Sequence, residues 1–255
     1  MRIANRASCS PSADLAVSPS LLTRCSVCSH RSVHPASACY ECLHESDEQP
    51  DPTCTLCGGG ANPGYAKCWS CGHLRPAPAF AYNLNVLVRS DEVYSTLLAY
   101  KYSARQQSRD LLARILEGYC EVHGRDLTQF DWVVPMPWHQ NPGGGAQFDH
   151  MRDLVARVAP RVPDISFAAD LGVLQKTRPT GSQATDGRSR EGRLKAYRDI
   201  LDALEVPPHA PDVRGRRILI VDDVFTTGTT LNAAARRLKD RGATAVCGLT
   251  ILRYT

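Results

Sequence analysis

The feature that most constrains the fold of this chain is residues 216–231, where an apolar run leads into two acids and a hydroxyl-rich turn. Residues 218–221 are four consecutive apolar residues, three of them β-branched, which favours a central parallel strand covered on both faces. Asp222 and Asp223 follow at the carboxyl end of that strand, the edge at which open α/β sheets bind ligands. The stretch therefore predicts a strand-to-helix unit with a binding site at its turn.

The turn itself has the residues that anion binding requires. It consists of Thr226, Thr227, Gly228, Thr229 and Thr230. A glycine here can adopt a positive φ and lets the backbone approach an anion, while the threonine amides point to a phosphate at the helix amino terminus. Because the two carboxylates can accept hydrogen bonds from the vicinal hydroxyls of a ribose, the unit predicts a phosphorylated-sugar site. The alternative is an ordinary turn with threonine caps.

These residues resemble the phosphoribosyl pyrophosphate (PRPP) motif of type I phosphoribosyltransferases. The resemblance implies that Asp222 and Asp223 bind the ribose hydroxyls, that residues 226–230 bind the 5′-phosphate, and that Mg²⁺ accompanies PRPP. It also implies an α/β fold, a mainly parallel sheet with helices on both faces. Members that recognise hypoxanthine or guanine have an acid at the position of Thr226, so that activity is disfavoured because threonine is no general base at neutral pH.

A second pattern lies nearer the amino terminus. Eight of the eleven cysteines form four Cys-x-x-Cys pairs, and the second half of the set repeats the first after 29 residues. Each half provides the four ligands of one tetrahedral metal site, so the spacing predicts two structural Zn²⁺ sites in a reducing compartment. The predicted ligands are Cys25, Cys28, Cys39 and Cys42 in one repeat and Cys54, Cys57, Cys68 and Cys71 in the other.

Three questions about this module stay open on sequence alone. Four thiolates also fit a rubredoxin-like iron site, and the pairing is either sequential or cross-braced, joining Cys25 and Cys28 to Cys54 and Cys57. Residues 1–80 carry six Lys or Arg against six Asp or Glu, and thiolate zinc centres add negative charge. A structural role, or docking of a protein partner, is therefore favoured over binding of nucleic acid by the module itself.

The chain divides into three predicted segments: a disordered segment 1–24, the tandem four-cysteine module 25–75, and an α/β domain 80–255. Alternating strands and helices predict the parallel sheet. No apolar run is long enough for a membrane helix, and residues 1–24 lack the continuous apolar run typical of a signal peptide, which predicts a cytoplasmic protein. Cys120 and Cys247 are predicted to be core residues, and Val93, Leu97, Leu98 and Tyr102 to form the apolar face of a helix.

Residues 175–198 carry seven Lys or Arg and two acids, a local charge of +5, and contain few apolar residues. This composition predicts a long mobile loop that closes over a phosphorylated ligand, binds a nucleic-acid backbone, or is simply solvated.

The four-cysteine module ahead of a phosphoribosyltransferase-like domain resembles the ComF family of competence proteins. Further marks are Leu-Ala-Tyr-Lys-Tyr at residues 98–102, Val-Pro-Met-Pro at residues 134–137, and Gln183 with Arg190 and Tyr197. Residues 146–150 depart from the Arg-Gly-Phe-Asn-Gln often found in that family, and the doubled cysteine unit is unusual.

Three functions follow from these patterns. The first is Mg²⁺-dependent transfer of phosphoribosyl to an unidentified acceptor, with Lys101, Lys176 and Arg178 as candidate catalytic cations near pyrophosphate. The second, implied by the ComF resemblance, is an accessory role in DNA uptake with binding of single-stranded DNA. The third is a regulator that senses PRPP without consuming it. No base-reading signature identifies an acceptor, and the oligomeric state is open.

Overall fold

The computed structural model describes residues 23–24, 31–32, 53–88, 91–139, 148–180 and 190–253. In chain order the elements are β1 (Thr23–Arg24), β2 (Arg31–Ser32), α1 (Trp69–Gly72), β3 (Asn83–Val88), α2 (Asp91–Ser103), α3 (Gln106–Leu127), β4 (Trp132–Pro135), α4 (His150–Val158), β5 (Gln175–Lys176), α5 (Arg190–Ala203), β6 (Leu204–Glu205), β7 (Arg217–Phe225), α6 (Thr229–Asp240) and β8 (Ala245–Arg253). A 3₁₀ turn, Ala159–Arg161, follows α4.

The main sheet has four strands in the order β3-β8-β7-β4, and all its pairings are parallel. Beyond β4 the chain continues the hydrogen bonding, since the Val133 amide donates to the Ser166 carbonyl and the Ala168 amide donates to the Val133 carbonyl, each at 2.8 Å. Two short antiparallel pairs, β1-β2 and β5-β6, lie outside this sheet. The predicted parallel architecture is therefore confirmed.

Strand β7 is covered on both faces, as its apolar run predicts. Leu219 and Val221 pack in one hydrophobic cluster with residues of α2, α3 and α4. Ile218 and Ile220 pack in a second cluster with residues of α5 and α6. All four side chains are fully buried. Successive side chains of a strand point to opposite faces, so an uninterrupted apolar run fits a strand between two helical layers.

Helix α2 forms where it was predicted, but its buried face differs. Val93, Leu97 and Tyr100 are buried, whereas Leu98 is 37% exposed and Tyr102 is 72% exposed. The prediction that Leu98 and Tyr102 belong to the apolar face is wrong. The reason is that Tyr100 turns inward, where its hydroxyl donates to Asp153 at 2.6 Å.

The prediction of a long loop over residues 175–198 is also wrong within the described residues. Its first two residues form β5, and helix α5 begins at Arg190 and continues to Ala203. Tyr197, Ile200 and Ala203 are buried at helical spacing and pack toward α6. These three buried side chains explain why the segment is helical, because tertiary packing, rather than local propensity, supplies most of the stability of a helix.

Other expectations concern single residues or the whole chain. Cys120 and Cys247 are buried, as predicted. Among the helices of the described ranges, none has the length and apolar character needed to span a bilayer. Segment 1–24, apart from the two residues of β1, lies outside the described residues, as do Cys25, Cys28, Cys39 and Cys42.

Candidate active site and metal centre

Asp222 and Asp223 lie near the carboxyl end of β7 at the edge of the sheet. The Asp223 amide donates to Asp222 Oδ1 at 2.9 Å, and the Val224 amide donates to Asp223 Oδ1 at 2.7 Å. These contacts use one oxygen of each carboxylate and fix the orientation of both side chains. The second oxygen of Asp223 is directed to residues of two helices.

Lys101 of α2 and His150 of α4 converge on Asp223. Lys101 Nζ lies 2.5 Å from Asp223 Oδ2, and His150 Nε2 lies 3.3 Å from the same oxygen. Burial alone would raise the pKa of Asp223, but the hydrogen bond from His150 and the charge of Lys101 outweigh it and hold the pKa below its usual range. Burial likewise opposes the charge of Lys101, yet Asp223 raises the pKa of this amine. Asp223 is therefore a carboxylate and Lys101 an ammonium at neutral pH.

Asp222 differs from its neighbour. Burial, followed by the negative charge of Asp223, raises the pKa of Asp222 to about 7. Two adjacent carboxyl groups thus have pKa values on opposite sides of their ordinary value. Such a separation of pKa values is typical of sites that exchange protons or bind cations, because a ligand or metal can shift the protonation of the carboxyl group whose pKa is raised, here Asp222.

The turn after β7 has the predicted geometry. Gly228 has a φ of 75° and is the N-cap of α6, so the first amides of that helix point out of the sheet edge. Thr227 Oγ1 and Thr229 Oγ1 lie 2.8 Å apart. A β-carbon at position 228 would lie 2.6 Å from Phe225 Cζ, so both the φ and the packing require glycine.

The acids and the turn border one open cleft of about 530 Å³. Lys101, Lys176, Asp222, Asp223, Thr226, Thr227 and Thr230 line it, while Gly228 and Thr229 lie in the same turn. The structure therefore brings together nine of the ten predicted active-site residues. Arg178 instead pairs with Asp199 of α5, and its Nη1 lies 2.6 Å from Asp199 Oδ1.

His150 and Trp138 are among the residues that line the cleft and were not predicted as site residues. His150 is 3% exposed and contacts Asp223, and Trp138 lies edge-on to His150 with 5.5 Å between ring centroids. Lys101 Nζ lies over the Trp138 ring, 5.6 Å from its centroid. His150 is the last residue of segment 146–150, which departs from the family pattern, so the sequence did mark its position although no role was assigned to its side chain. Trp138 directly follows the Val-Pro-Met-Pro segment, which is the one signal that could have drawn attention to it.

The second cysteine repeat forms a compact group. The sulfur atoms of Cys54, Cys57, Cys68 and Cys71 lie within 4.8 Å of one another, and all four residues are buried. The pairing within this repeat is therefore sequential and not cross-braced. Ligands from two Cys-x-x-Cys knuckles at this separation fit one tetrahedral Zn²⁺.

The thiols of the group differ in their pKa: burial raises the pKa of Cys68, and the hydrogen bond with Cys57 raises that of Cys71, whereas the pKa of Cys57 is lowered. A hydrogen bond from Cys71 is the main cause that lowers the pKa of Cys57 to about 4, and the charge of Arg253 contributes. A thiolate is the form of cysteine that binds metal. His73, close by in sequence, is exposed and stacks on Trp69 instead.

Comparison with known proteins assigns the fold to a family. The model of the phosphoribosyl transferase domain matches residues 154–252. The chain is 46% identical over 103 residues to the adenine phosphoribosyltransferase of Nocardia farcinica, and 52% identical over 48 residues to that of Mycobacterium avium strain 104. These matches cover 39% and 19% of this chain, and only 52% and 27% of the two enzymes.

A longer match covers most of the chain. The DNA utilization protein YhgH of Escherichia coli strain K12 is 30% identical over 199 residues, which cover 76% of this chain and 80% of that protein. The matched length exceeds that of the transferase domain alone. Three observations assign the family: the match to the phosphoribosyl transferase domain, the buried four-cysteine group, and the similarity to YhgH over most of the chain. The chain belongs to the ComF family of phosphoribosyltransferase-type proteins.

Proposed function

We propose that this protein binds PRPP with Mg²⁺ in the cleft at the end of β7 and transfers its phosphoribosyl group to an acceptor. The observation that carries the proposal is the convergence of the acid pair, the turn of residues 226–230 and two lysines on one cleft. This set offers acceptors for ribose hydroxyls, donors for a phosphate and cations for a pyrophosphate. Each component of PRPP thus has a complementary group.

The proposed roles follow from these groups. Asp222 and Asp223 accept hydrogen bonds from the ribose hydroxyls, and residues 226–230 hold the 5′-phosphate at the amino terminus of α6. Lys101 and Lys176 lie where they can stabilise the charge of departing pyrophosphate. Mg²⁺, when bound with PRPP, would neutralise further charge on the pyrophosphate. Arg178, held by Asp199, is the candidate cation furthest from this arrangement.

Asp222 is the candidate for proton transfer. Its pKa of about 7 lies near neutral pH, where a general base is most effective. In the transfer, the acceptor nucleophile forms a bond to C1 of the ribose while the bond from C1 to pyrophosphate breaks. A proton on the nucleophile then passes to Asp222 or to water. The chain otherwise positions the two reactants and neutralises the leaving group.

Calorimetric titration of PRPP in the presence of Mg²⁺ tests the proposal. We expect binding with a Kd on the order of 10–100 μM, within the range of ordinary substrate affinities. The double variant D222N/D223N is expected to bind at least about 30-fold more weakly, because it loses charge-assisted hydrogen bonds worth roughly 2 kcal/mol in total. The control is D212N, which makes the same change at an exposed carboxylate that pairs with Arg214.

Release of pyrophosphate in the presence of a panel of nitrogen bases then separates a transferase from a sensor. Release that depends on one acceptor supports transfer. Tight binding without release for any acceptor would instead support a PRPP-sensing regulator. Absence of binding at millimolar PRPP would contradict both proposals.

A second function, binding of single-stranded DNA, is favoured by one surface contact in addition to the name of the Escherichia coli relative. Trp69 of the cysteine module is 61% exposed and stacks on His73, with ring centroids 4.5 Å apart. The guanidinium of Arg193, from helix α5, lies 5.5 Å from the centroid of the Trp69 ring. Exposed aromatic rings beside cationic groups are typical of surfaces that bind single strands.

Fluorescence anisotropy of a labelled oligothymidine tests this second function. W69A is expected to weaken binding by about 5- to 100-fold, because stacking of one base on an aromatic ring contributes roughly 1–3 kcal/mol. R193A should weaken binding and reduce its salt dependence, whereas R241A, at an exposed arginine of the same domain, should change neither. Equal affinity for W69A and the unmodified protein would contradict this function.

A further inference from the structure

The last residue of β8, Arg253, joins the cysteine group to the strand that carries the acid pair. It is 2% exposed, which is unusual for an arginine. Its Nε donates to Cys57 Sγ at 3.5 Å, and its Nη1 donates to the Phe225 carbonyl at 3.0 Å. A β-carbon at position 59 would lie 3.0 Å from the same Nε, so Gly59 permits the close approach of the cysteine knuckle.

Phe225 transmits this contact to the turn. It is the last residue of β7 and directly precedes residues 226–230. Its ring lies 5.1 Å from the Arg253 guanidinium and packs edge-on against Phe80, with 6.1 Å between centroids. Gly228 rests against the other end of the ring, where even a β-carbon would not fit. A displacement of the Phe225 backbone or ring therefore displaces the turn.

Other contacts tie the module to both sides of the turn. Asn85 of β3 donates to the Cys57 carbonyl at 2.7 Å. Asn232, fully buried in the first turn of α6, accepts from the Ala79 amide at 2.7 Å and donates to the Pro76 carbonyl at 3.1 Å. The chain segment that leaves the fourth cysteine is thus fixed to the helix whose amino terminus faces the cleft. The start of the turn is held through Phe225 and its end through Asn232.

We infer that Arg253 is a positioning residue that couples metal binding at the four-cysteine group to the conformation of the turn of residues 226–230. A buried guanidinium needs an anionic partner, and a Zn²⁺ bound by four thiolates carries a net negative charge that supplies one. Loss of the metal frees the cysteine knuckle, so Cys57 Sγ is no longer held beside Arg253. Arg253 then rearranges, and the Phe225 carbonyl loses the donor that holds it.

The coupling has a reciprocal consequence, which rests on the proposed binding of PRPP. If the metal orders the turn and so tightens PRPP binding by a given factor, PRPP must tighten metal binding by the same factor. The cysteine module then acts as a sensor whose metal content sets the affinity of the phosphate site. Oxidation or chelation of the thiolates would lower that affinity without any change in the cleft itself.

Hydrogen exchange of the full-length, zinc-loaded protein tests the coupling without any ligand. In R253M we expect the amides of residues 225–231 to exchange at least tenfold faster than in the unmodified protein, at unchanged zinc content. R253K keeps the charge but cannot span both Cys57 Sγ and the Phe225 carbonyl, so its amides at residues 225–231 should also exchange faster. This variant replaces R253M in the experiment if R253M does not fold. R241M, which makes the same change at an exposed arginine, is the matched control, and its residues 225–231 should exchange at the rate of the unmodified protein.

Equal exchange of this segment in the unmodified protein and in both Arg253 variants would overturn the inference. A second measurement follows zinc release to a chromogenic chelator with and without PRPP. PRPP should slow release about fivefold or more in the unmodified protein and not in R253M. If PRPP binds by calorimetry but leaves zinc release unchanged, the coupling is refuted. If PRPP does not bind, the proposed function fails while the exchange result still decides the role of Arg253.

Discussion

The same substitution at two adjacent positions is expected to change stability in opposite directions. D223N should lower the free energy of unfolding at about pH 8 by roughly 2–3 kcal/mol, because it leaves the Lys101 ammonium beside a group that cannot balance its charge. D222N should raise it by about 1–2 kcal/mol. Its neutral amide avoids both the cost of burying a charge and the repulsion from Asp223, the two causes that raise the pKa of Asp222 to about 7.

The pH dependence of these effects follows from the two pKa shifts. The Asp222 carboxyl ionises near pH 4 when unfolded and near pH 7 when folded, so its contribution to stability falls across that window and is constant above it. The gain in D222N should therefore be largest at about pH 8 and small at about pH 4. The pKa of Asp223 is lowered, so its contribution is present above about pH 4 and is lost as pH falls through the folded-state value.

Urea denaturation at several pH values between about 4 and 8 measures the pH-dependent gain in D222N and the loss in D223N, which should be nearly constant over this range. The matched control is D212N, at an exposed carboxylate whose partner, Arg214, is also exposed. Such a surface pair contributes less than about 1 kcal/mol, so this variant should remain close to the unmodified protein. Destabilisation of similar size in D222N and D223N would show that the two carboxyl groups do not differ as described.

Loss of one metal ligand is expected to have the other large effect. C57S should abolish zinc binding at the group formed by Cys54, Cys57, Cys68 and Cys71 and lower the thermal midpoint by more than about 10 °C. Structural zinc contributes roughly 10–16 kcal/mol to the folding of isolated zinc-finger peptides, and the four cysteines here belong to a segment packed against the sheet. Zinc analysis by mass spectrometry and differential scanning calorimetry provide the two readouts.

Matched variants make this experiment specific. C120A removes a buried cysteine of α3 that does not belong to the group, so it should keep full zinc content. C28S addresses the first repeat: if each repeat binds one ion, zinc should fall from two to one per chain in both C28S and C57S. Zinc content unchanged by C57S would contradict the site. A coloured protein containing iron would instead support the rubredoxin-like alternative.

Several features of the fold could be predicted because they depend on local sequence. The apolar run of residues 218–221 specifies a strand buried on both faces wherever it is placed in a sheet. The Thr-Thr-Gly-Thr-Thr turn requires a positive φ at Gly228, and the observed value is 75°. The ligand group of the second cysteine repeat follows from the fixed geometry of the Cys-x-x-Cys knuckle.

Helix α5 could not be predicted in the same way. Most of it belongs to residues 175–198, which are basic and contain few apolar residues, so their composition indicates a loop. Only Tyr197, Ile200 and Ala203 lie at the spacing of a buried face, and their burial depends on α6, which comes later in the chain. A helix of this length is marginal in isolation and forms because another element covers it.

The sequence by itself determined the elements whose chemistry is contiguous: the strand, acids and turn of residues 216–231 and the cysteine repeats. Tertiary structure alone decided which distant residues complete them. His150 and Lys101 meet Asp223 across 73 and 122 residues of chain, and Arg253 reaches Cys57 across 196. Periodicity reports which side of an element is apolar, but not which charge will lie opposite a buried carboxylate or thiolate. The separation of the pKa values of Asp222 and Asp223, and the link from the cysteine group to the turn, arise only when the sheet brings these helices and strand ends together.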